Sequence, residues 1–112
     1  MAKATVGAYI VKSKYPVQEQ EQKLNTWANE NNARIYDFYV EENKDISVPL
    51  SDRREFRRLL SDVNTHKIDG ILTVDFNRLS DGGNNAEQAL NKLKSEGVEL
   101  YSISDVLRGQ EI

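Results

Sequence analysis

The chain contains no cysteine. Disulfides and thiolate metal sites are therefore excluded, which suits a reducing compartment. Histidine is scarce too. The single one, His66, sits in the polar stretch Asn64-Thr65-His66-Lys67, where an imidazole is ordinarily solvated. No apolar run approaches the ~20 residues of a membrane span. The N-terminus, Met1-Ala-Lys-Ala-Thr-Val6, lacks the long apolar segment of a signal peptide. The expectation is a cytoplasmic protein with no membrane partner. There is no basic excess either: the formal net charge is -3, which argues against an autonomous nucleic-acid binder. No metal-ligand cluster and no glycine-rich phosphate loop appears, so neither a metal nor a cofactor is expected.

What is present reads as one compact domain over residues 1–112. A chain of this size buries roughly two-thirds of its unfolded surface, enough for a modest core. Strand and helix patterns alternate along it. Thr5 to Val11 is a predicted strand, and Lys12 to Val17 a loop broken by Pro16. Gln18 to Asn31 reads as a helix, with Leu24, Trp27 and Ala28 on one face and Asn31-Asn32 as its stop. Arg34 to Val40 suits a strand, and Glu41 to Leu50 a polar loop. Ser51 or Asp52 is the expected cap of a second helix carrying Phe56, Leu59, Leu60 and Val63. Arg53, Arg54, Arg57 and Arg58 fall on that helix's other face.

Ile68 to Val74 is nearly all apolar, as a strand covered on both faces should be. Asn85 to Glu96 reads as a third helix and Val98 to Ile103 as a last strand. The tail from Ser104 has room for one helical turn. Such alternation implies parallel strands joined by right-handed crossovers. The predicted fold is a three-layer α/β sandwich, with a mostly parallel sheet of four or more strands and helices on both faces.

In such a fold the strand carboxyl ends share one rim, and sites collect there. Ser13, Glu41–Ser47 and Asp75–Asp81 are expected to gather there, with Arg53 reaching them from the start of its helix, and three features could carry chemistry. Ser13 follows the first strand, where its plain alternative is a loop serine. Arg53 opens the second helix, and its run is alternatively a solvated face balanced by Asp52, Glu55 and Asp62. Asn77-Arg78-Leu79-Ser80-Asp81 follows the third strand, alternatively as a turn that caps a helix. A hydroxyl facing arginines from two other elements suits phosphodiester chemistry. Serine supplies a nucleophile, and guanidinium groups neutralise the phosphate. Asp75 leaves open an unrelated doubly wound domain such as a phospho-receiver. That alternative lacks the acidic pair it needs after the first strand, where Lys12-Ser13-Lys14 stands.

The residues also resemble a known family. The segments Tyr9-Ile-Val-Lys-Ser13, Gln20 with Leu24, Ser47, Arg53-Arg-Glu-Phe56, Asp69-Gly-Ile-Leu and Asn77-Arg-Leu-Ser80 are similar to the catalytic domain of serine site-specific recombinases. These are the resolvases, invertases and large serine integrases. The resemblance covers roughly Val6 to Ser104. It implies a resolvase-like fold and DNA strand exchange through a phosphoserine link. Exchange takes place within a tetramer and needs neither metal nor nucleotide. By position, Ser13 is the nucleophile, Arg53 and Arg78 bind the scissile phosphate, and Gln20 and Tyr9 are accessory.

Departures accompany the matches. Val11 and Asn77 replace an arginine and an aspartate, and Asp81 reverses the charge of a third family position. Lys12 or Lys14 could offer point charges in compensation, without the bidentate fork of arginine. The stretch after Ser104 is expected to supply neither a long dimerisation helix nor a DNA-binding domain. The resemblance thus implies a weakened recombinase domain that reaches DNA through a missing or partner domain, as a homo-oligomer or with a full recombinase. The alternative is a recombinase-like regulatory or protein-interaction module without catalysis.

Overall fold

The computed structural model describes residues 4–12, 16–42, 52–74 and 86–103, with the backbone alone for 86–90. The element order is β1 (Ala4–Val11), α1 (Val17–Glu30), β2 (Ala33–Glu41), α2 (Arg54–Asn64), β3 (Gly70–Thr73), α3 (Ala86–Ser95) and β4 (Glu99–Ser102). The four strands form one parallel sheet in the order β2-β1-β3-β4. This is the expected α/β sandwich. The helical turn expected after Ser104 lies outside the described residues.

Alternation along β1 sorts the core into two layers. Val6, Ala8 and Ile10 face α1, where they pack with Leu24, Leu72 and Val74. Tyr9 and Val11 face α2 and α3, among Tyr39, Phe56, Leu59, Ile71 and Leu93. Gly7 makes the second layer possible. A Cβ there would collide with Leu59 Cδ1 and come within 2.9 Å of the Tyr39 ring, so α2 packs onto bare backbone.

Each helix follows its sequence pattern. In α1 the buried residues are Gln20, Leu24 and Ala28, four apart. Trp27 is half-buried, its ring 5.1 Å from that of Tyr101. Asn31 bonds back to the Trp27 carbonyl, and Asn32 takes a left-handed φ of 55°, which ends the helix as the sequence predicts. In α2, Phe56 and Leu59 are buried. His66 is exposed in the turn after α2.

β2 carries one irregularity. Val6 pairs with Ile35 but Gly7 pairs with Asp37, so Tyr36 is an extra residue, 41% exposed. Such a bulge is rare in parallel pairs. It resets the alternation. Ile35, Phe38 and Val40 all join the layer under α1, while Tyr39 and Glu41 turn towards α2. In an unbroken ladder Ile35 would share its face with Asp37 and Tyr39 instead.

The start of α2 differs from the sequence expectation. Neither Ser51 nor Asp52 is the cap; the N-cap residue is Arg53, and its side chain makes no capping bond. The arginine run is not a uniform solvated face either. Arg53 is only 1% exposed. Arg58 lies 4.2 Å over the Tyr39 ring and pairs with Glu55 and Asp37. Arg54 and Arg57 are exposed as expected.

Candidate active site

The parallel sheet brings the ends of β1, β2 and β3 to one rim, and the start of α2 joins them. Lys12 N–H donates to the Glu41 carbonyl at 2.9 Å, which ties the end of β1 to that of β2. Two buried polar side chains hold the other strand ends. Gln20 Nε2 donates to the Val11 carbonyl at 3.1 Å, and Ser102 Oγ donates to the Val74 carbonyl at 3.3 Å. These carbonyls stand just before the segments that contain Ser13 and Arg78. Ser13, Ser47, Asp75, Asn77, Arg78 and Asp81 themselves lie outside the described residues.

Arg53, Tyr9 and Glu41 form the polar centre that is described. All three are buried, at 1%, 0% and 2% exposure. The Tyr9 hydroxyl donates to Glu41 Oε2 at 3.1 Å and is hydrogen-bonded to Arg53. Burial pushes the Tyr9 hydroxyl well above its usual value. The bond to Arg53 opposes that rise, and the nearby Glu41 charge adds to it. Tyr9 therefore stays a neutral phenol at any ordinary pH.

Glu41 stands on the rim as expected, but sequence reasoning gave it no role. Its carboxylate accepts the Glu55 N–H at 3.1 Å and the Phe56 N–H at 3.0 Å. These are the N2 and N3 amides of α2, which an N-cap side chain normally satisfies. An arginine has no acceptor to offer them. Glu41 does that work from the neighbouring strand and places a negative charge at the positive end of the helix. The N-cap position is thereby free to carry a guanidinium. The available signal was an acidic residue closing β2, on the Tyr39 face, ahead of a helix without its own acceptor.

Val11 is buried beside Tyr9 and Phe56, so this position adds packing and no charge. Next to it, the exposed Lys12 Nζ pairs with Glu42 at 2.9 Å. No group of side chains able to hold a metal ion occurs among the described residues. An open groove of about 590 Å³ runs along α1 from Glu19 to Glu30 and ends on Ile103. Its two carboxylates make it a poor phosphate site. Among the described residues no helix is long and apolar enough to cross a membrane.

The β2-β1-β3-β4 order, with a buried arginine at the strand-end rim, defines a doubly wound parallel α/β domain. The chain belongs to the resolvase N-terminal domain family, whose model matches residues 10–111. Solved structures share the fold. The N-terminal catalytic domain of TP901-1 integrase superposes with a TM-score of 0.73 at 17% identity, over 90% of this chain and 79% of that one. The C-terminal catalytic domain of ISC1926 TnpA, an IS607-like serine recombinase, gives 0.66 at 16% identity, over 91% and 67%. A search of curated proteins finds no match. The family assignment removes the alternative of an unrelated phospho-receiver with Asp75 as acceptor.

Proposed function

We propose that this domain performs the phosphoryl-transfer step of serine recombination on DNA, at a reduced rate. Ser13 Oγ attacks a backbone phosphorus, the new Ser–O–P bond replaces the P–O3′ bond, and the serine proton ends on the freed 3′-hydroxyl. Arg53 and Arg78 hold the phosphate oxygens and neutralise the charge that gathers on them. Tyr9 and Gln20 are accessory: Tyr9 contacts Arg53, and Gln20 fixes the end of β1. The observation that carries this function is Arg53, buried at the strand-end rim and hydrogen-bonded to Tyr9.

Reduced rate follows from the missing cations. Removal of one donor aimed at transition-state charge typically costs ~10²–10³ in rate. Val11 supplies none, and Asp81 brings a negative charge to a family arginine position. DNA contact comes through a partner or a further domain, within an oligomer, because the net charge of -3 gives this chain little attraction for a polyanion. The test is a suicide DNA substrate offered to the chain fused to a sequence-specific DNA-binding domain. A covalent adduct that Ser13→Ala abolishes is expected; absence of any adduct rules out catalysis.

A second function, a regulatory module that joins a recombinase without cleaving DNA, is favoured by Val11. Its burial removes a cation and strengthens the core, a change that suits a fold kept for binding. The adduct is then absent while co-purification with a full-length recombinase succeeds. Failure to recover that partner counts against this second function.

A further inference from the structure

We propose that Glu41 is a positioning residue for Arg53, acting through the hydroxyl of Tyr9 and the first turn of α2. The proposal rests on Arg53 as a phosphate-binding group. Two independent contacts support it. Glu41 accepts the Tyr9 proton at 3.1 Å, which turns the phenol lone pairs towards Arg53, the group bonded to that same oxygen. Glu41 also accepts the Glu55 and Phe56 amides, which fixes the backbone immediately after Arg53. One carboxylate thus sets both where the arginine starts and where its guanidinium is received. A hydrogen bond to an ionised acceptor is about twice as strong as a neutral one, so the charge of Glu41 matters as well as its shape.

One oxygen serves both contacts, since Glu41 Oε2 accepts from Tyr9 and from the Phe56 amide. Glu41→Gln removes the charge and leaves one acceptor oxygen where two stood, so it weakens both contacts together. Tyr9→Phe separates them: it removes the phenol oxygen from Arg53 and leaves every Glu41–amide bond in place.

The experiment measures hydrogen exchange of the Arg53 guanidinium N–H signals by NMR in the folded chain, alongside the thermal midpoint. Both variants are expected to fold and to exchange roughly tenfold faster at Arg53, as loss of one charge-assisted bond implies. Amides elsewhere in α2 should keep their exchange rates in Tyr9→Phe, which a merely destabilised helix would not. In the DNA-binding fusion, adduct formation at saturating DNA falls by a similar factor in both variants while DNA affinity holds. Unchanged Arg53 exchange in a folded Glu41→Gln overturns the proposal. Should that variant not fold, unchanged exchange in Tyr9→Phe overturns it. The exchange arm reads the same whether or not the wild type cleaves DNA. A missing wild-type adduct with faster Arg53 exchange in the variants overturns the catalytic function alone.

Discussion

An arginine at the N-cap leaves the first amides of a helix without their usual acceptor, yet Arg53 stands there. The cost is met one strand away, by Glu41. Buried polar side chains repeat this division of labour around the rim. Gln20 is fully buried and holds the Val11 carbonyl, two residues before Ser13. Gln20→Leu keeps the volume and deletes the donor. It should lower the urea-unfolding free energy by about 1–3 kcal/mol, the cost of leaving a buried carbonyl unsatisfied. A change within about 0.5 kcal/mol, the range of surface substitutions, sinks this role. Arg53 was legible because it opens a helix that reaches the rim, and Gln20 through the family resemblance. The place of Glu41 on the rim was legible too, but its role was not. Its function depends on the lateral pairing of β2 with β1, and no local pattern in a strand records its neighbour.

At the scale of elements, β2 explains why periodicity located strands better than it located faces. The alternation from Arg34 to Val40 marks a strand, and the structure has one there. The bulge at Tyr36 then changes which residues face α2, and only the pairing register reveals it. The consequence is testable by deletion. Removal of Tyr36 leaves Ile35 and Asp37 opposite Val6 and Gly7 as they already are. Tyr39 and Glu41 keep their faces, and Arg58 keeps Asp37. That deletion should change stability by no more than about 1 kcal/mol, the range of a tolerated change. Deletion of Phe38 instead draws Tyr36 into the ladder and turns Asp37 inward under α1. An unpaired buried carboxylate together with a lost phenyl ring should cost about 3 kcal/mol or more. Urea melts of the two deletions decide it. If the Tyr36 deletion unfolds the chain and the Phe38 deletion does not, the assigned faces are wrong.

Across the whole molecule, the two faces of the sheet are built from different chemistry. The α1 side is apolar at its centre, whereas the α2 side buries two phenols, Tyr9 and Tyr39, both 0% exposed. Burial raises the Tyr39 hydroxyl above its usual value of 10.0. Its 2.6 Å bond to Asp62 adds to the rise, and the Arg58 guanidinium over the ring opposes it. Tyr9 is raised by burial and Glu41 against the pull of Arg53. Tyr101 moves in the same direction, by burial and then by Glu99. A phenol raised in the folded state keeps its proton there while the unfolded chain gives its own up. The contribution to stability is whole below pH 10 and is lost as pH climbs towards the folded values. Each such group removes about 1.4 kcal/mol per pH unit in that window. Urea unfolding should therefore show a flat profile from pH 7 to 9 and a steep fall from pH 10 to 11. In Tyr39→Phe the fall should become shallower by about 1.4 kcal/mol per unit, and in Tyr9→Phe by a similar amount. A slope unchanged in both variants means that the alkaline transition belongs to other groups. A shallower slope in each locates it beneath α2, in the layer that also holds Arg53.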